Sequence, residues 1–305
     1  MLRLSIRDEP IGADMESPPN QTVNHTTRTR PAAVLAAASL VGAACFLYPF
    51  LLPAARQVAD ENQAHATIAP LLFAAVTAVC LLVMLVTLAD GHDVARSRTV
   101  ALLGVLVAVD ATLRLVPSVL GATPIFLLII LVGAVFGSAM GFQMGVLTLL
   151  FSALITGGIG PWLPFQMLGA GWVGMTAGWL PRSWSPRARV AAITVFGAAW
   201  GLLFGALMNL WFWPFAAPGV ETDAGLYWSP DLGVAETVSR YAHFYVVTSL
   251  PFDLFRAAGN VALVVLFGGP VLRLLERYRT RFTWQPWTGR DEVPASVAAP
   301  EGGIR

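Results

Sequence analysis

Long apolar runs separated by short polar stretches dominate the chain from residue 32 onward. Eight such runs stand out, near 32–53, 69–89, 98–117, 124–138, 141–156, 164–181, 188–212 and 243–274. Most approach the roughly 20 residues that carry an α-helix across about 30 Å of hydrocarbon. The stretch 124–156 is the exception. Read as one helix it would extend about 50 Å at about 1.5 Å per residue, too long for one crossing. Gly137-Ser138-Ala139-Met140-Gly141 offers a break, so two shorter spans are predicted.

Arginine placement tests that division. Arg28 and Arg30 precede the first run, Arg96 and Arg98 flank the third, and Arg182, Arg187 and Arg189 separate the sixth from the seventh. Arg273, Arg277, Arg279 and Arg281 close the last. With eight spans and a cytoplasmic amino terminus, all four clusters fall on the cytoplasmic side, as the positive-inside bias requires. Fusing 124–156 would send the last two clusters outside. The expected organisation is therefore all-α and polytopic. A polar tail at 1–30 precedes a transmembrane hairpin at 31–92, a six-helix core at 93–282 and a second tail at 283–305. Both tails are expected to be disordered and cytosolic. The first run lies too far from Met1, and is too long, for a signal peptide.

Composition agrees and removes several chemistries. Of 305 residues, 56% are hydrophobic and 12% charged, with a mean hydropathy of +0.67, which marks a protein of the cell membrane. All 19 basic residues are arginine. Without lysine there is no Walker A site, Schiff base or Ser-Lys dyad, so ATP hydrolysis would have to come from another chain. Cys45 and Cys80 lie in apolar runs and show no metal-ligand spacing, so no metal site is expected. A net charge of +1 suggests no nucleic-acid partner. No His-Glu-x-x-His, acidic phosphate motif or Ser/His pairing occurs, so no catalytic residue is predicted.

Candidate binding chemistry gathers in three segments expected on the outer side: 117–124, 156–164 and 213–242. Thr156-Gly-Gly-Ile-Gly-Pro-Trp-Leu-Pro-Phe-Gln166 combines permissive glycines with stiffening prolines and places Trp162 on a narrow loop ahead of Gln166. Trp211, Trp213, Tyr227 and Trp228, near the acidic positions Glu221, Asp223, Asp231 and Glu236, extend an aromatic rim. A membrane-interface belt is the plainer explanation for some of these rings. Within the spans, Asp110 and Arg114 are four residues apart and Asp253 and Arg256 three apart, with Asn260 one turn beyond. Such groups face protein or water and usually pair, either as ion pairs holding the bundle or as ligand contacts. Asn209 and Gln143 are weaker candidates, since one buried amide often bonds a neighbouring helix. Small residues at Gly104, Ala108 and Thr112, with Ala101 and Ala111 alongside, form a face suited to close helix approach, internal or with another subunit.

Four of these pieces together resemble a known family: Ala101–Arg114, Thr156–Met167 (TGGIGPWLPFQM), Met208–Phe215 (MNLWFWPF) and Thr248–Asn260 (TSLPFDLFRAAGN). Residues 98–281 look like the substrate-binding S-component of an energy-coupling factor (ECF) vitamin transporter, similar to actinobacterial and cobalamin-type members. The resemblance implies six helices with substrate held near the outer face, under the three outward segments. It also implies partners: a coupling membrane subunit and two ATPase subunits, which hydrolyse ATP while this chain holds no catalytic cofactor. Gly104, Ala108, Ala111 and Thr112 occupy the docking region, although the usual Ala-x-x-x-Ala is Ala108-x-x-x-Thr112 here. Expected substrate contacts are Trp162, Gln166, Trp211, Trp213, Trp228, Asp253, Arg256, Asn260, Asp110 and Arg114. The wide aromatic surface points to a large, partly planar vitamin, a corrinoid ahead of riboflavin, thiamine or biotin. Alternatives are an ion-coupled secondary transporter titrating Asp110 and Asp253, an intramembrane enzyme, and a scaffold.

Overall fold

The computed structural model describes residues 26–55, 61–89, 93–118, 120–215, 226–228 and 232–282. The expected tails and the acidic positions Glu221, Asp223 and Asp231 lie outside them. The described residues form ten α-helices and no strand: α1 (Thr26–Ala55), α2 (Glu61–Ala89), α3 (Asp93–Leu113), α4 (Ile125–Phe136), α5 (Ser138–Thr156), α6 (Leu163–Ala177), α7 (Pro186–Phe212), α8 (Val234–Thr248), α9 (Leu250–Leu263) and α10 (Gly269–Phe282). By length and composition, three described segments suffice to cross a membrane: Ser138–Thr156, Pro186–Phe212 and the continuous Leu250–Thr280. Ala32–Tyr48, Pro70–Leu85 and Ile125–Phe136 are shorter apolar helices.

The break inside 124–156 falls at Gly137. Its φ of +104° is a conformation that favours glycine, and it turns the chain from α4 into α5. The two helices then fold back on a third, α6, which is apolar and buried nearly all round. Glycine makes this close packing possible. A Cβ on Gly133 or Gly141 would collide with the Gly174 carbonyl, and one on Gly145 with the Ala170 carbonyl. Backbones in contact gain dispersion along their whole length, which replaces the absent hydrophobic driving force between helices in lipid.

The last span departs from expectation. Residues 243–248 belong to the separate helix α8, and a new helix starts at Leu250. Ser249 stands between them at φ −125°, and Pro251 occupies the first turn of α9, where a missing N–H costs nothing. Further on, α9 passes through a π-turn at Val264–Gly268 into α10. Pro270 cannot donate to the carbonyl four residues back, and a π-turn just before it absorbs that mismatch.

The hairpin α1–α2 packs on α5, α6, α7 and α8. Phe46 meets Phe165 edge-on with centroids 5.3 Å apart, and the Trp172 indole donates to Ser39 Oγ at 3.0 Å. At the far end of α4, Arg182 Nε donates to the Ala134 carbonyl and Arg279 Nη1 to the Val135 carbonyl, both at 3.2 Å. Arg189 pairs with Glu276 nearby. The Arg182 and Arg279 guanidiniums satisfy terminal carbonyls of α4 and complement the negative end of its dipole.

Candidate functional site

The end of the bundle opposite the arginine-capped end of α4 holds a cavity of about 240 Å³. Its walls come from the segment after α3, the start of α4, and α5, α6, α7 and α9. Ile125, Phe126, Leu149 and Phe204 supply apolar surface, and Ser118, Thr123, Gln166, Arg114 and Arg256 the polar groups. Phe126 and Phe204 meet edge-on at 4.9 Å between centroids.

Arg256 is held from below. One turn earlier on α9, the buried Asp253 carboxylate pairs with its Nη1, which also donates to the Gly201 carbonyl at 3.3 Å. The guanidinium lies 5.7 Å from the centroid of the Phe204 ring, a cation–π distance. Room for this arrangement comes from glycines on α7. A Cβ on Gly205 would overlap the Asp253 carboxylate, and one on Gly201 would come within 2.6 Å of Ala257 Cα. Asn260 completes the row, donating to the Gly197 carbonyl at 2.8 Å. Gly197, Gly201 and Gly205 thus form the seam against α9. Their four-residue spacing is plain in the sequence, and only the facing charges show its purpose.

Three of the ten sequence candidates line the cavity: Arg114, Gln166 and Arg256. Arg114 Nη2 reaches Gln166 Oε1 at 3.5 Å, the outer limit of a hydrogen bond. No ion pair joins Arg114 to Asp110 among the described residues. Asp110 is fully buried and instead accepts from Thr148 Oγ1 on α5 at 2.9 Å. Asp253 and Asn260 are internal ties between α7 and α9, outside the cavity wall.

The aromatic rim does not form one mouth. Trp213 is buried, donates to the Leu226 carbonyl at 2.8 Å and packs on Tyr241. Trp211 stacks on Phe165 at 5.2 Å. Trp162 folds over Gly160, and its indole donates to the Gly158 carbonyl at 3.2 Å. Trp162 and Trp211 line a separate apolar groove of about 350 Å³ with Leu72 and Phe73 of α2. Trp228 lies half-buried and is absent from the cavity wall.

The expected docking face divides. Gly104, Ala108 and Thr112 are exposed, and a Cβ on Gly104 would meet nothing within 4 Å. Ala111 is fully buried and faces the core, because it lies about 100° round the helix from Thr112. Sequence reading missed Thr123, Phe126, Leu149 and Phe204 as cavity residues. The 117–124 segment containing Thr123 was expected to face outward, but the three apolar residues look like ordinary core.

Among comparisons with known proteins, the family model described as "ECF transporter, substrate-specific component" matches residues 98–267. No curated protein and no solved structure matches the chain.

Proposed function

This chain belongs to the family of substrate-specific components of ECF transporters, and from that premise we propose that the cavity between α3 and α9 captures a small vitamin-class molecule from outside the cell. The family is one of transporters, and its substrate-specific components work with a membrane coupling subunit and ATPase subunits. The observation that carries the reading is the cavity. It is an apolar chamber with a few convergent polar groups, at the bundle end opposite the arginine-rich one, as a small-molecule site requires. The arginine-rich end belongs in the cytoplasm by the positive-inside bias, and on that orientation the cavity end faces outside.

A volume of about 240 Å³ falls just below the range of about 300–1,000 Å³ usual for small-molecule sites. It suits a substrate of one or two rings and disfavours the corrinoid suggested by the scattered tryptophans. Docking to the coupling subunit would use the open face at Gly104, Ala108 and Thr112, which the N-terminal hairpin leaves uncovered. Binding of a vitamin panel to the purified full chain tests the capture role. Thr123→Trp, which fills the chamber from its rim, is expected to abolish binding; unchanged affinity would remove the cavity from consideration.

One observation favours an ion-coupled alternative. Asp110 is buried with Thr148 as its hydrogen-bond partner and no cation beside it among the described residues. Uptake that stops with an uncoupler, yet continues without the ATPase subunits, would support that alternative over ECF coupling.

A further inference from the structure

The cavity wall contains two arginines and no carboxylate. They differ in how they are balanced. Arg256 has Asp253 as its counter-ion, engaged through Nη1, while Nη2 lies 3.3 Å from where a Cβ of Gly121 would sit, against the 117–124 segment. Arg114 has no carboxylate partner among the described residues. Its hydrogen-bond partner is the neutral Gln166 amide, approached only at 3.5 Å. A guanidinium without a carboxylate partner, sharing a cavity wall with Phe126, Leu149 and Phe204, gains strong charge-assisted hydrogen bonds when an anion joins it. The rest of the wall gives the other half of the ligand: Ile125, Phe126, Leu149 and Phe204 offer apolar surface, two of them as flat rings, and Thr123 and Ser118 each offer a hydroxyl that can donate to an oxyanion.

We infer that the substrate is a small anion, a carboxylate or phosphate ester on a ring-sized apolar body, with its charged head held by Arg114 and Arg256. The inference rests on the cavity being the capture site proposed above. Arginine suits both oxyanions, because its planar fork matches two oxygens at once and it never loses its charge. Asp253 acts as a positioning residue: it fixes Arg256 and offsets its charge, which leaves Arg114 as the net positive group that selects an anion over a neutral analogue.

Matched pairs test this on the purified full chain, by thermal shift and calorimetry. Nicotinate against nicotinamide reports on a carboxylate, and pyridoxal 5′-phosphate against pyridoxal on a phosphate. The expected result is that at least one anion binds and its neutral partner binds on the order of 10- to 100-fold more weakly, the range for a charge-assisted hydrogen bond. Arg114→Gln is expected to erase that preference and Arg114→Lys to retain part of it. Arg114 sits half-exposed beyond the end of α3, so both variants are expected to fold, and gel filtration checks this. If a neutral member binds as tightly as its anion, and is lost only in Thr123→Trp, the anion inference falls while the capture site stands. Binding that survives both Arg114→Gln and Thr123→Trp overturns the site itself. A panel in which no anion stabilises the protein also counts against the inference.

Discussion

Gly205 and Asp253 act as a single unit at the scale of residues. The Asp253 carboxylate fills the space that a methyl group at position 205 would occupy, and from there it clamps Arg256. Gly205→Ala must therefore push the carboxylate off its seat or spread α7 from α9. Overpacking of this kind costs about 1–3 kcal/mol, so the variant should melt earlier and bind substrate more weakly. Wild-type melting and affinity together would show that the seam does not position Arg256. The opposite result is expected at Trp162. Its indole is bonded to its own loop and borders the outer groove, so Trp162→Ala should leave substrate affinity within about twofold, as for a surface substitution. A large loss would mean that the groove under α2 belongs to the binding site.

Helices in this protein meet through small residues, and similar spacings serve two different ends. On α7, Gly197, Gly201 and Gly205 are covered by α9; on α3, Gly104, Ala108 and Thr112 are exposed among the described residues. Periodicity reveals that a face is smooth but not what lies against it, since the partner is a distant segment. That is why the all-helical character and the Gly137 turn were legible, as local consequences of hydropathy and backbone freedom, whereas the run 243–274 was read as one span although it divides at Ser249, and Ala111 was assigned to the outer face. The same limit applies to the site. Arg114, Gln166 and Arg256 were legible because polar groups in apolar runs are rare, whereas Asp110 had to be seen against Thr148 to be separated from Arg114. A leucine on the open face should block a partner helix and spare the chain itself. Gly104→Leu and Ala108→Leu are thus expected to lose co-purification with the coupling subunit and keep substrate binding. Ala111→Leu should instead destabilise the fold, because residue 111 is fully buried. Normal assembly and transport by both open-face variants would assign docking to another surface.

Across the whole molecule, the two ends of the bundle carry different chemistry. One end has the arginines that cap α4 and pair with Glu276; the other has the cavity, the glycine-rich 156–162 turn and the aromatic clusters. The hairpin α1–α2 takes up part of the aromatic content that the sequence reading assigned to a ligand. Phe46 and Phe50 of α1 pack on Phe165, Trp172, Trp213 and Tyr241, so several of those rings are interior surface between hairpin and core. The arginines likewise have two roles, since groups expected to mark the cytoplasmic side also staple helix ends. Orientation can be tested with single cysteines and a membrane-impermeant thiol reagent on intact cells. The native Cys45 and Cys80 are buried and should stay unlabelled. Ile159 is 62% exposed in the α5–α6 turn, at the cavity end, and Ile159→Cys should react from outside. Ser185 is exposed at the start of α7, at the arginine end, and Ser185→Cys should react only after permeabilisation, because arginine-flanked helix ends stay in the cytoplasm. Labelling of Ser185→Cys in intact cells would invert the bundle, turn the cavity toward the cytoplasm and end its assignment as a site of capture from outside.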